Sequence, residues 1–279
     1  MMNSNEMDRL ILAALREDMP FGDATTDSII DLNSRCRVEL IAKSTGVICG
    51  LVPFKRTFEL LGDVEFEFKK SEGDSVSYGE IIAVLVGNTR NILSGERTAL
   101  NILQRMSGIA TETKKATKIL KDTGCKILDT RKTTPNFRIF EKSAVLCGGG
   151  YNHRHCLSDG ILIKDNHIMA AGGITPAVNL ARKSSPFVRK IEVETETLEM
   201  VKEALMSNVD IIMLDNMDID TMKEAIKIID GKAITEASGN INLNNLAKVA
   251  DTGVDYVSMG SIIYNAPVMD ISLKNLKYL

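Results

Sequence analysis

No run of apolar residues in this 279-residue chain approaches the ~18 that a membrane span needs. The opening MMNSNEMDRLILAALREDMPFGD has neither the basic start nor the long apolar stretch of a secretory signal. It reads as an amphipathic helix with Leu10, Ile11, Ala14 and Leu15 on one face. An excess of positive charge is also missing. Against 34 Lys and Arg stand 37 Asp and Glu, so no global basic field exists to hold nucleic acid. Cations that cluster in such a chain are local, and local cations suit a small acidic ligand. Cysteine is scarce and odd in number: Cys36, Cys49, Cys125, Cys147 and Cys156, with no Cys-x-x-Cys. That pattern fits reduced thiols in a cytoplasmic protein. Cys147, His153, His155 and Cys156 lie close together, but their spacing matches no common zinc pattern. No Gly-x-Gly-x-x-Gly follows a strand, which disfavours a dinucleotide fold.

What is present describes a globular chain of one large or two moderate domains: 44 % hydrophobic and 25 % charged residues. In the first hundred residues, CRVELIAKSTGVICG (36–50) alternates as a strand pair would, and EFEFKK (65–70) and EIIAVLVG (80–87) read as further strands. Between them, the GD-x-V-x-x-G-x-x-I pattern resembles half of a lipoyl-type sandwich. It lacks the Asp-Lys hairpin tip of a carrier. NILSGERTALNILQRMSG (91–108) predicts a helix with Ile92, Ala99, Leu100, Ile102 and Leu103 on its apolar side. Arg97, Asn101 and Gln104 or Arg105 recur on the other side, as on a solvated face. From residue 110 the pattern changes. CKILDTR (125–131), GILIKDN (160–166), RKIEVET (189–195), DIIMLDN (210–216), KAITEASG (232–239) and DYVSMGS (255–261) alternate with helical stretches. The last four begin about 21 residues apart, as repeated βα units do. Only about six such units fit, against the ~250 residues of a full eight-unit barrel. An irregular, incomplete α/β barrel is the expectation, with an open doubly wound sheet as the alternative.

In parallel α/β folds, ligands bind at the carboxyl ends of strands. The polar residues closing these runs are Arg131 and Lys132, Lys164 and Asp165, Glu194, Asp215, Glu236 with Ser238, and Gly260 with Ser261. Singly, each has an ordinary structural use. Glu194 could neutralise Lys164, and Asp215 could cap a helix. Repetition across most strands favours one shared ligand site. The loop CGGGYNHRHCLSDG (147–160) adds His153 and Arg154, whose planar fork suits carboxylate or phosphate. The expected pocket is rich in cations, with carboxylates opposite for sugar hydroxyls or phosphate-bound Mg²⁺.

These residues carry a resemblance. DTRKTTPNFRIFEKSAVLCGGGYNHRHCLSDGILIKDNHI (129–168) closely resembles the signature block of the quinolinate phosphoribosyltransferases, or carboxylating nicotinate-nucleotide pyrophosphorylases. GERTALN (95–101), SGIAT (107–111), EVE (192–194), MLDN (213–216), EASGN (236–240) and GVDYVSMG (253–260) match in order. A molybdenum-transport-associated group of the same fold shares much of the pattern. The resemblance implies an N-terminal open α/β sandwich (1–109, completed by 266–279) and a C-terminal irregular α/β barrel (110–265), type II phosphoribosyltransferase-like. It implies de novo NAD biosynthesis: quinolinate and phosphoribosyl pyrophosphate, with Mg²⁺, give nicotinate mononucleotide, pyrophosphate and carbon dioxide. It also implies a homodimer, with any higher assembly left open.

By the same resemblance, Arg131, Arg154 and Lys164 line the quinolinate pocket, with Thr130 and His153 beside them, and Arg97 is donated across the dimer. That displaces the solvated-face reading of Arg97. Lys132 falls where the two substrates meet. Glu194 and Asp215 stand near the ribose hydroxyls and the metal, and with Lys132 form the expected catalytic set. Ser238, Gly239, Asn240, Gly260 and Ser261 match the phosphate loops. Two departures stand out: Asn136, where glycine is expected after TTP, and Ala237, often serine in relatives, where a phosphate contact could be lost.

Overall fold

The computed structural model describes residues 4–279. Twelve strands are used below: β1 (Arg35–Ala42), β2 (Gly46–Val47), β3 (Val64–Phe68), β4 (Ser75–Val76), β5 (Ile81–Asn88), β6 (Lys126–Leu128), β7 (Ile161–Ile163), β8 (Ile191–Thr195), β9 (Ile211–Asp215), β10 (Ile234–Ser238), β11 (Tyr256–Ser258) and β12 (Ile271–Tyr278). The chain divides into two compact units. One holds Met1–Lys114, Thr133–Gly149 and Ile262–Leu279; the other holds Lys115–Lys132 and Gly150–Ser261. The segment Thr133–Gly149, placed with the barrel by the sequence reading, thus clusters with the N-terminal residues.

The first unit is built on an antiparallel sheet in the order β12-β1-β5-β3. In β1 the alternation of RCRVELIA becomes burial: Cys36, Val38, Leu40 and Ala42 face the core. Ile271 and Leu273 of β12 join the same core, together with Phe54 and Phe58, whose rings meet edge to face at 5.2 Å. The expected pair within 36–50 is not a hairpin. β2 turns away from β1 and pairs with β4 instead. The N-terminal helix Ser4–Asp18 buries Met7, Ile11 and Leu15, one residue per turn. The long helix Thr89–Ile119 extends the predicted one, and its apolar side is buried as expected. Its polar side is not uniformly solvated. Gln104 donates to the Ile271 carbonyl at 2.7 Å, and Arg105 donates to the carbonyls of Ile263 and Ala266. Arg97 and Asn101 remain exposed.

The second unit carries a six-stranded parallel sheet in the order β6-β11-β10-β9-β8-β7. From β7 to β11, sequence order and spatial order agree, and β6 bonds to β11. A doubly wound sheet reverses its strand order at a switch point; this one never does. It is consistent with a barrel that closes between its first and last strands and stays open between β6 and β7. Odd and even positions divide cleanly. Val193, Ile212, Leu214, Ala237 and Val257 are fully buried on one side, whereas Glu192, Ile211, Ile234, Glu236 and Tyr256 line an inner cavity. Caps start the outer helices where the repeat predicts them. Thr197 accepts from the Met200 amide, and Asp218 from the Thr221 amide.

Candidate active site

At the end of β6 the chain needs an anchor, because the seam towards β7 has no ladder. Asp129 supplies it. Fully buried, it donates its amide to the Tyr151 carbonyl, while Tyr151 donates to Ile127. Its carboxylate accepts from the His153 amide (2.9 Å) and from the Asn152 side chain (2.5 Å). One residue thereby holds the loop that presents His153 and Arg154 against the strand that presents Arg131. The Thr130 hydroxyl accepts from the Lys132 amide, which fixes the bend between the two cations. Asn136, the expected glycine, sits at φ +61°, a left-handed position that asparagine tolerates, so the turn survives.

Beneath these residues a cavity of about 290 Å³ is lined by His153, Arg154, Lys190, Glu192, Glu236 and Tyr256, among others. His153 accepts the Arg154 amide at Nδ1 (2.7 Å) and turns Nε2 towards Glu192 (3.1 Å) and Glu236 (3.5 Å). With Nδ1 accepting, Nε2 is the nitrogen that carries a proton towards the glutamates. Each glutamate keeps its Oε1 buried and without a hydrogen-bond partner. Burial, and then the charge of Glu192, push the Glu236 carboxyl up to about 7, against the pull of His153. Folding therefore retains a proton that the unfolded chain sheds at its ordinary 4.5. Stability should be greatest below that value and fall as pH rises towards about 7, by up to about 1.4 kcal/mol per unit. Glu236→Gln should flatten this slope in denaturant melts from pH 5 to 8. Parallel curves for the two proteins would refute it.

The rim groups gather above this floor. Arg154 donates to the Gly160 carbonyl at 3.2 Å, and its guanidinium is pressed below its usual range by burial and then by the charge of Arg131. The Glu192 charge acts in the opposite direction. The Lys164 ammonium meets the Glu194 carboxylate, so the neutralisation considered from sequence does occur. Asp215, ending β9, accepts from the Asn216 side chain at 2.7 Å. The Asn216 amide donates to the Ser238 carbonyl, and the Asn240 side chain donates to Asn216. Between them Gly239 has φ +92°, and a Cβ there would lie 2.2 Å from Asn216 Oδ1, so only glycine fits. The Met259 amide, donated to Leu128, ties the Gly260–Ser261 loop to β6. Arg97 belongs to the other unit, exposed on the helix Thr89–Ile119.

Two contributors escaped the sequence reading. Glu192 appeared only as part of EVE, although its two-residue spacing from Glu194 already puts both on one face. Asp129 looked like a strand terminator. Glu236 was gathered with the strand ends but given no role. Ala237 is fully buried, on the strand face opposite Glu236 and Ser238, so its missing hydroxyl removes nothing from the pocket side.

A parallel cup, positive at its strand ends and acidic below, places the chain among the α/β-barrel proteins that take small polyanions at their strand ends. Comparison narrows this. The family model for the quinolinate phosphoribosyl transferase C-terminal domain matches residues 109–274, and that for the N-terminal domain matches 23–107. A probable carboxylating nicotinate-nucleotide pyrophosphorylase of Bacillus subtilis (strain 168) is 44% identical over 273 residues, 98% of this chain and 94% of that one. Its counterpart in Synechocystis sp. is 44% identical over 264 residues, 93% and 89% of the two chains. The crystal structure of NadC from Streptococcus pyogenes matches with a TM-score of 0.96 at 43% identity, covering 100% of this chain and 99% of that one. The chain belongs to the quinolinate phosphoribosyltransferase family.

Proposed function

We infer that this chain transfers a phosphoribosyl group to quinolinate, releasing pyrophosphate and carbon dioxide and leaving nicotinate mononucleotide, a step of de novo NAD biosynthesis. The observation that carries this reading is Asp129, whose carboxylate holds the His153–Arg154 loop (His153 amide, 2.9 Å) against the end of β6, from which the chain runs directly to Arg131. A guanidinium after β6 and another on the loop anchored to that strand suit a ligand with two adjacent carboxylates, and quinolinate has them. A monoacid would leave one cation unpaired, which is how the pocket discriminates.

In this reading Arg131, Arg154 and Lys164 grip the diacid, Thr130 shapes the bend beneath it, and His153 holds the floor. Ser238, Gly239, Asn240, Gly260 and Ser261 receive the phosphates of the second substrate. Glu194 and Asp215 face the ribose, where positive charge develops at the anomeric carbon as pyrophosphate departs. Both are hard oxygen donors on neighbouring strands, which fits a Mg²⁺ brought in with the pyrophosphate. When bound, that ion supplies charge neutralisation to the leaving group. Lys132 stands where the two substrates meet. The ring nitrogen attacks the anomeric carbon as the C–O bond to pyrophosphate breaks, and becomes cationic. That charge then stabilises the electron pair left on ring C2 when the C2–carboxylate bond breaks and carbon dioxide leaves, and C2 takes up a proton from water. Positioning and electrostatics suffice, without a covalent enzyme intermediate. We also assign the chain a type II phosphoribosyltransferase-like barrel, a homodimer in which Arg97 enters the partner's site, and a cytoplasmic location. Among the described residues no helix is long and apolar enough to cross a membrane.

The test is a three-component turnover assay with the product identified by mass. Nicotinate mononucleotide should form only when quinolinate, phosphoribosyl pyrophosphate and Mg²⁺ are all present. Turnover of a different acid in its place would point to the molybdenum-associated group. Diacid binding without pyrophosphate release would mean a binder rather than an enzyme.

A further inference from the structure

Three side chains of the first unit gather with no part assigned in the reaction. Cys49, Glu72 and Cys147 bring their sulfur and oxygen atoms within 4.8 Å of one another. The set invites a metal, but Glu72 is already spent. Its carboxylate accepts from the Gly50 amide at 3.1 and 2.9 Å and from the Val52 amide at 3.3 Å, capping the helix Leu51–Leu61. Coordination would uncap that helix. The Cys147 thiol donates weakly to the Ile48 carbonyl (3.6 Å) and to Glu72 (4.0 Å), with the Cys49 sulfur beside it.

They are unequal. Cys49 is buried, and its backbone is pinned on both sides by Ser107, which accepts from the Cys49 amide (3.0 Å) and donates to its carbonyl (3.1 Å). Cys147 ends the helix Arg138–Cys147 and is half-buried, so a small solute reaches it. Hydrogen bonding from Cys49 comes first among the causes that hold the Cys147 thiol below its usual range, with the Lys114 cation assisting; the Cys49 thiol is pushed up correspondingly. Position therefore makes Cys147 the thiol that a peroxide meets and Cys49 its fixed, buried neighbour.

We propose that Cys147 and Cys49 form a hydroperoxide-reactive dithiol that closes to an intrachain disulfide. The Cys147 thiolate attacks one peroxide oxygen, forming an S–O bond as the O–O bond breaks and hydroxide leaves. Cys49 then attacks the Cys147 sulfenic acid, forming the S–S bond. The S–O bond breaks and its hydroxyl leaves as water with the Cys49 proton. In sum, two thiols and one hydrogen peroxide give one disulfide and two waters. Because Ser107 fixes Cys49, closure to the ~2.05 Å bond length falls mainly to Cys147.

The test treats the reduced protein with hydrogen peroxide, alkylates the remaining thiols and maps the peptides by mass. A Cys49–Cys147 linked peptide, reversed by dithiothreitol, is expected. Cys147 should react about tenfold faster than Cys156, the other half-buried thiol. In Cys49→Ser, dimedone should trap a sulfenic acid on Cys147. Cys147 surviving as long as Cys156, or overoxidising in the native protein without any linked peptide, overturns the proposal. The readout is chemical and independent of turnover, so it stands or falls separately from the assigned reaction.

Discussion

Arg131→Ala is expected to lower kcat/KM for quinolinate by about 10²–10⁴, the range for removing one partner of a desolvated charge pair. The loss should come without unfolding. Arg131 is exposed at the end of β6, where substitutions move stability by about 0.5 kcal/mol or less. Melting of the variant beside the wild type separates lost turnover from a lost fold. What disappears is the second half of a fork matched to two carboxylates. Arg131→Lys should recover only part of the activity, since a point charge replaces a planar bidentate donor. If Arg97 enters the partner's site as proposed, mixing Arg131→Ala with Arg97→Ala subunits should restore partial activity through the one intact site of a mixed dimer. Wild-type turnover by Arg131→Ala would end the pocket assignment. No recovery on mixing, once subunit exchange is shown, would end the cross-subunit role of Arg97.

How far the sequence reached depends on what kind of fact each residue carries. The alternation in CRVEL shows which side of β1 is buried, because a strand has only two sides. It does not show that β12, more than two hundred residues later, supplies the neighbouring strand. The repeat from residue 189 onward predicts parallel strands with outer helices, and those appear. That β6 bonds to β11 while its seam with β7 stays open cannot be seen in any one segment; it follows from how the strands close on one another. The same limit governs the site. Arg131 and Lys164 are visible because a cation at a strand end is anomalous, and Arg154 because it follows a glycine-rich loop beside a histidine. Asp129 is not, because a buried carboxylate holding a loop looks like any acidic residue ending a strand. Gln104 and Arg105 show the converse error. Helical spacing put them on the polar side with Arg97, and polarity suggested water, yet their partners are backbone carbonyls of the returning C-terminal segment.

That last arrangement makes Arg105 the residue whose loss should cost most in stability. Its Nε and Nη2 donate to Glu141 Oε1 at 3.0 and 2.8 Å, while Nη1 and Nη2 also hold the carbonyls of Ala266 and Ile263. Glu141 is fully buried and also accepts from the Thr134 amide and hydroxyl. Arg105→Ala leaves a buried carboxylate without its cation and frees two carbonyls just before β12, the strand that closes the first unit's sheet on β1. Breaking a buried pair from one side costs about 3–5 kcal/mol, which for a domain of this size lowers Tm by roughly 10 °C. The double variant Arg105→Met, Glu141→Gln removes the stranded charge while keeping an acceptor for Thr134. It should melt above Arg105→Ala, and the difference measures how much of the loss is the uncompensated charge rather than the lost carbonyl bonds. If Arg105→Ala melts within about 2 °C of the wild type, below the shift expected from even 1 kcal/mol, then the C-terminal segment is held by its apolar face alone: Met269, Ile271 and Leu273 in the core would suffice, and the guanidinium would be incidental to it.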